Sequence, residues 1–202
     1  MKVRQIDKKE IEAAALRILK DHGRHDSLPV NVEVLVEQCG ANHIPIPKLL
    51  SAHGVEGTIS ENCKAIYIDR DLSTNRYRFT LAHELGHIQL HRELILERFE
   101  DPSSDRMTWE EFTDDEYRVC ERQAHLFAGA ILLPEGPLQT VFDAKCKLLK
   151  AGGAEFESLD SYAKMKFLRA MGSDVGVSNQ ALRIRLIGLS AVGYFDVPQD
   201  FY

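Results

Sequence analysis

Between residues 7 and 22, Ile11, Ala14, Ala15, Ile18 and Leu19 recur at helical spacing, and Gly23 follows as a stop. The pattern predicts an amphipathic helix there. A second short helix is expected over residues 32–39, closed by Gly40. The period then changes. Residues 43–47 read as extended chain, with two prolines that suit an edge strand. Residues 54–60 and 64–68 read as two strands joined at Glu61-Asn62, the second carrying the β-forming run Ala65-Ile66-Tyr67-Ile68.

From Ser73 the period is helical again. Tyr77, Leu81, Leu85 and Ile88 fall on or near one stripe, and the helix is expected to reach about Arg92. Residues 97–116 are polar and acidic, with a proline and paired serines, and read as a long surface loop whose position makes it a lid candidate. Residues 117–133 form another helix, with Cys120, Ala124, Phe127 and Ile131 on one face, and Pro134, Gly136 and Pro137 are expected to end it sharply. Three more helices follow at roughly 138–150, 158–171 and 178–189. No internal repeat or low-complexity tract interrupts the chain.

The 202 residues suffice for one sizeable core, or one domain with a small appendage. With 44% hydrophobic and 28% charged residues the chain is globular rather than disordered. A net charge of -6 argues against nucleic-acid binding by global electrostatics. Residues 1–142 hold 17 Lys/Arg against 24 Asp/Glu, and residues 143–202 hold 8 against 7, so the tail is only mildly basic. Cys39, Cys63, Cys120 and Cys146 form no C-x-x-C pair and no disulfide framework, and they read as free thiols in a reducing cytosol. The first 23 residues lack the continuous apolar core of a signal peptide. No run of about 18 apolar residues exists to span a membrane. A cytoplasmic protein with no membrane partner is expected.

The strongest chemical signal is His83-Glu84-Leu85-Gly86-His87. It lies in a segment that periodicity alone makes helical. Histidines four apart project from one helix face, so both imidazoles can reach one ion at about 2.0–2.1 Å. Glu84 points to the adjacent face, where its carboxylate can reach water on that ion rather than the ion itself. Two ligands and one base are the physical content of H-E-x-x-H. The same five residues also occur by accident, as a surface or core histidine pair. Gly86 bears on the choice. A glycine inside a helix costs on the order of 1 kcal/mol relative to alanine, which suggests close packing beside the ligands.

A catalytic zinc takes three protein ligands and keeps a position for water. His91 is four residues beyond His87, yet about 12 Å of helix rise separates it from His83. It reads as a residue behind the ligands or on the surface. The longer pattern H-E-x-x-H-x-x-G-x-x-H fails, because position 90 is Leu and position 93 is Glu. Glu93 and Glu97 would need an immediate chain reversal. Glu121, on the next long helix beside Cys120 and Ala124, borders a buried stripe and needs a partner. That partner is either the ion, or Arg118 or Arg122 in a rim salt bridge.

These residues resemble the ImmA/IrrE metallo-endopeptidases. The segment Arg78-Phe79-Thr80-Leu81-Ala82-His83-Glu84-Leu85-Gly86-His87, with Leu90-His91, resembles that family's signature, and residues 121–134 are similar to its second motif. The strand pair and the late segment 177–186 also match, so the resemblance covers roughly residues 30–190. It implies Zn2+ held by His83, His87 and Glu121, with Glu84 as the catalytic general base. His125 stands where the family usually has asparagine, and the polar insert before Tyr117 is longer than usual. His125, His91 and Tyr77 are candidates for an oxyanion-stabilising or supporting role. The implied fold is α+β and zincin-like, with a small β-sheet, an active-site helix and a helical C-terminal part. Residues 1–137 would form the catalytic domain. Residues 138–202 would form a helix-turn-helix-like subdomain that packs on it or docks substrate. The implied substrate is a helix-turn-helix transcriptional repressor, often of a mobile element. Nothing in the sequence sets an oligomeric state.

Two rival functions follow from the same residues. Residues 173–189 can be read as a DNA-recognition element with Arg183 and Arg185 on phosphates. However, Leu182, Leu186 and Leu189 make an apolar stripe and two arginines are a thin basic face, so direct nucleic-acid contact is not expected. The other rival is a non-catalytic, zinc-stabilised regulator that holds its partner without cutting it.

Overall fold

The computed structural model describes residues 3–98 and 112–189. The expected lid over 97–116 therefore lies largely outside the described residues. The first predicted helix is α1 (Lys8–Asp21). It opens on a capping box: the Asp7 carboxylate accepts from the Glu10 N–H, and the Glu10 carboxylate accepts from the Asp7 N–H. It buries Ile11, Ala15, Ile18 and Leu19, close to the predicted stripe. The second helix, α2 (Val32–Gln38), is capped by the Asn31 side chain, which accepts from the Val34 N–H.

Three strands follow as expected: β1 (Asn42–Ile46), β2 (Gly57–Ile59) and β3 (Ala65–Asp69). The apolar run of β3 is central, in the order β1-β3-β2, parallel to β1 and antiparallel to β2. Pro45 sits in the edge strand β1, where a missing N–H is tolerated. Between β1 and β2 lies a helix the periodicity did not announce, α3 (Leu49–His53). Five residues carry too little pattern to read. A tertiary contact holds its start, where the Leu50 N–H donates to the Asp69 carboxylate at 2.6 Å.

The motif helix α4 (Thr74–Arg98) runs past the expected end at Arg92. Every residue from Thr80 to Ile88 is buried, because α2, β2, β3 and the next helix surround it. That helix, α5 (Asp114–Leu132), starts on a second capping box between Thr113 and Glu116. The remaining helices are α6 (Glu135–Ala151), α7 (Ser161–Val175) and α8 (Asn179–Leu189). Pro134, Gly136 and Pro137 do end α5, but they also begin α6. Proline fits a first helical turn, whose N–H groups lack intrahelical partners in any case.

Buried residues from α1, α2, the sheet, α4, α5 and the C-terminal helices join in one apolar cluster. Two arginines fasten the C-terminal part to the rest. Arg78 on α4 donates to the carbonyls of Gly176 and Val30 at 2.9 and 2.7 Å. Arg185 on α8 is buried, donates to the Leu133 carbonyl at 2.9 Å, and grips the Glu12 carboxylate with both terminal nitrogens. The architecture is the expected α+β arrangement of a small sheet and a helical C-terminal part. Among the described residues, no helix is long and apolar enough to cross a membrane.

Candidate metal centre

Glycine at position 86 sets the geometry of the site. A Cβ there would lie 3.1 Å from the Ala124 Cα and 3.1 Å from the Phe127 ring, so α4 and α5 meet nearly backbone to backbone. The helices run antiparallel, since Gly86 faces Ala124 while Arg98 pairs with Glu116 further along. Glu121, one turn before Ala124, is thereby brought against the two histidines.

Three donor atoms converge. His83 Nε2 and His87 Nε2 are 3.0 Å apart. Glu121 places one carboxylate oxygen 3.3 Å from His83 Nε2 and the other 3.1 Å from His87 Nε2. A tetrahedral ion with bonds of roughly 2.0–2.1 Å spaces its ligand atoms about 3.3 Å apart. The three atoms are thus set at close to the spacing one small cation requires, and among the described residues they form the one group suited to holding a metal. The ordinary alternative for Glu121 was a rim salt bridge with Arg118 or Arg122. Arg118 is instead close to Asp115, and Glu121 turns to the imidazoles.

The electrostatics fit the same donor set. Burial would raise the Glu121 pKa, but hydrogen bonds from His83 and His87 outweigh it and hold the carboxyl well below its ordinary value. Burial pulls the His87 pKa down to about 4, leaving a neutral ring, the form that binds a metal. At His83 burial also opposes protonation, yet Glu121, Glu84 and Glu56 together lift its pKa above the usual imidazole value. Two neighbouring carboxylates at a buried site favour an added cation.

Glu84 is buried, and its Oε2 has no hydrogen-bond partner. Burial first, and the Glu121 charge as well, raise its pKa to about 7 against the opposing pull of His83. A Cβ on Gly57 in β2 would lie 2.7 Å from the Thr80 methyl and 3.1 Å from the Glu84 Cγ. The edge strand thus passes close to the carboxylate's stem, with no room for a side chain between them. Next to Gly57, Glu56 accepts from Thr80 and Arg76 at 3.2 and 2.6 Å.

The other candidates lie at different distances from this centre. His91 is buried, with Nδ1 3.2 Å from His87 Nδ1 and Nε2 2.8 Å from the Gln123 side-chain oxygen. His125 packs its ring edge-on against His83 and Phe79, at centroid distances of 5.6 and 4.8 Å. Tyr77 is not brought to the cluster. It packs on the apolar core, and burial and Glu33 raise its pKa. Gly57, Thr80 and Gln123 escaped the sequence reading. Only Gly57 left a local sign, as a glycine inside a strand, which often marks a close backbone approach.

The model of the IrrE N-terminal-like domain, Peptidase_M78, matches residues 48–186. No curated protein sequence matches the chain significantly. Among solved structures, a Mycobacterium tuberculosis transcriptional regulator shares the fold, with a TM-score of 0.55 at 16% identity. The match covers 88% of this chain but 46% of that one, so the chain spans less than half the regulator's length. The family match runs from the start of α3 through β2, β3 and both helices of the site into α8, and the chain therefore belongs to the Peptidase_M78, IrrE N-terminal-like family.

Proposed function

We propose that this chain is a zinc-dependent endopeptidase acting on a protein substrate, with His83, His87 and Glu121 as the metal ligands and Glu84 as the general base. The convergence of two imidazole nitrogens and one carboxylate within 3.0–3.3 Å carries this reading. Neutral imidazoles with a single carboxylate suit zinc better than magnesium or calcium, which prefer oxygen ligands. Zinc held there supplies Lewis acidity toward water and a scissile carbonyl.

The chain's own residues do the rest. Glu84 holds an unpartnered oxygen beside the ligands, and a pKa near 7 lets it take a proton from water and give it to a leaving amine. Gly57 packs without a side chain close to its stem, which leaves little free space there for the carboxylate to swing into. His125 lines the same side as His83 and is our candidate for steadying the developing oxyanion. His91 supports the ligands from behind, and Tyr77, packed away from them, has the weakest claim of the three.

We further propose that the substrate is a helix-turn-helix transcriptional repressor, as the family resemblance implies, and that residues 138–202 pack on the catalytic part or dock this substrate. The four free thiols suit a reducing, cytoplasmic setting. The engagement of Arg185 with Glu12 and Leu133 favours this reading over DNA contact through α8.

The test is incubation of the purified chain with a candidate repressor, with and without a chelator, alongside Glu84→Gln. Fragments that require both metal and Glu84 are expected. Tight, metal-dependent binding that never yields fragments would instead identify the non-catalytic regulator.

A further inference from the structure

Behind the metal ligands lies a row of buried polar side chains that leads away from the site. His87 Nδ1 is 3.2 Å from His91 Nδ1, His91 Nε2 is 2.8 Å from Gln123 Oε1, and Gln123 Nε2 donates to the Arg4 carbonyl at 2.9 Å. His87, His91 and Gln123 are 1%, 3% and 1% exposed, so no bulk solvent competes for these bonds.

The direction of every bond follows from the far end. A backbone carbonyl only accepts, so Arg4 must face the amide NH2 of Gln123. That orientation turns the Gln123 oxygen toward His91. The oxygen only accepts, so His91 Nε2 carries the hydrogen. A neutral imidazole, the form burial favours, then has its lone pair on Nδ1. His87 Nδ1 must donate to it. With its hydrogen on Nδ1, neutral His87 has its lone pair on Nε2, the atom that faces His83 and Glu121; without an ion this lone pair opposes the Glu121 carboxylate, which instead favours a hydrogen on Nε2, and a cation between the two removes that opposition. Reversing any one bond would set two donors or two acceptors against each other at a buried position, which costs about 1–3 kcal/mol.

We infer that His91 and Gln123 are positioning residues for the metal centre, which with the Arg4 carbonyl select the ligating tautomer of His87; this rests on the metalloprotease reading above. The row also ties the segment before α1 to the site, 119 residues away along the chain from Gln123.

The experiment uses the full chain and two readouts. Side-chain nitrogen NMR of the zinc-loaded wild type reads the tautomers, with the hydrogen expected on Nδ1 of His87 and, as the row requires, on Nε2 of His91. Zinc affinity is measured by chelator competition for wild type, Gln123→Leu, His91→Leu and His91→Asn. Loss of a group orienting a metal-bound histidine typically costs 10–100-fold in affinity, and the two leucine variants should fall in that range. His91→Asn, whose side-chain oxygen can replace Nδ1 as acceptor, should recover most of it. A hydrogen on Nδ1 rather than Nε2 of His91 in the zinc-loaded wild type, or leucine variants that bind zinc like the wild type, overturn the inference while leaving the metal centre standing. A wild type that does not bind zinc overturns the metal centre and this inference with it.

Discussion

Gly86 lies against the backbone of Ala124, with space for a hydrogen atom and little more: a Cβ would meet the Ala124 Cα at 3.1 Å and its carbonyl oxygen at 3.2 Å. Both neighbours are main chain, so neither can step aside as a flexible side chain would. Gly86→Val should force α4 and α5 apart. Overpacking of this kind costs about 1–3 kcal/mol. Because the same contact sets the reach of Glu121, zinc affinity should also fall, by about tenfold or more. Thermal unfolding in chelator separates the packing cost from the metal loss. Unchanged zinc affinity would mean that the helix crossing does not position Glu121.

Removing the metal should lower stability without unfolding the chain. The main apolar cluster draws on α1, α2, β2, β3, α4, α5 and the C-terminal helices, and none of its members is a ligand to the ion. A ligand at 100 times its Kd stabilises by about 2.7 kcal/mol. For a chain of this length that corresponds to a Tm rise of roughly 5–10 °C. Glu84→Gln should keep this rise and lose cleavage, since Glu84 is not among the converging ligand atoms. Absence of any zinc-induced shift in the wild type would remove the metal centre.

The His83-Glu84-Leu85-Gly86-His87 motif is legible because it rests on local spacing. His83 and His87 are one helical turn apart, and Gly86 announced a close neighbour before that neighbour was identified. The partner helix was also visible, but not its crossing, so Glu121 remained tied between an ion and a surface arginine until its motif was recognised as a family resemblance. What remained hidden is tertiary. Gln123 matters because it is the residue that reaches both His91 and Arg4, and no spacing rule relates those three. The helix α3 is too short for a period and is held by Asp69 from another element. The helix α4 continues past Arg92 because Leu94 and Ile95 bury further along, a pair flanked by exposed charges at Arg92, Glu93 and Glu97 that hide the continuation in the sequence pattern.

Gly57 should act on catalysis and spare metal binding. Its missing Cβ leaves room for the Thr80 methyl, 2.7 Å away, and for the Glu84 stem at 3.1 Å. Gly57→Ala pushes on Thr80 and Glu84 but not on the three ligand atoms. A misplacement of about 1 Å in a reacting group can cost 10²-fold in rate, so kcat should drop by up to that factor. Zinc affinity should stay within about twofold of the wild type. A variant that binds zinc and cleaves normally would show that the edge strand does not hold Glu84.

The pairing of Arg185 with Glu12 should prove structural. Arg185 is 6% exposed and Glu12 29% exposed, so removing the acid leaves a buried guanidinium that keeps only the Leu133 carbonyl. Breaking a buried pair from one side costs about 3–5 kcal/mol. The partial exposure of Glu12 places Glu12→Ala toward the lower end, about 3 kcal/mol, because water can reach the vacated space. The double variant Glu12→Leu with Arg185→Leu removes both charges together and should be more stable than Glu12→Ala alone. Neither change touches the metal ligands, so zinc affinity should stay at the wild-type value in both. Denaturant unfolding of the two variants checks the order. If Glu12→Ala proves as stable as the wild type, the guanidinium has found water or another partner, and α8 is not fastened to α1 in solution as it is here.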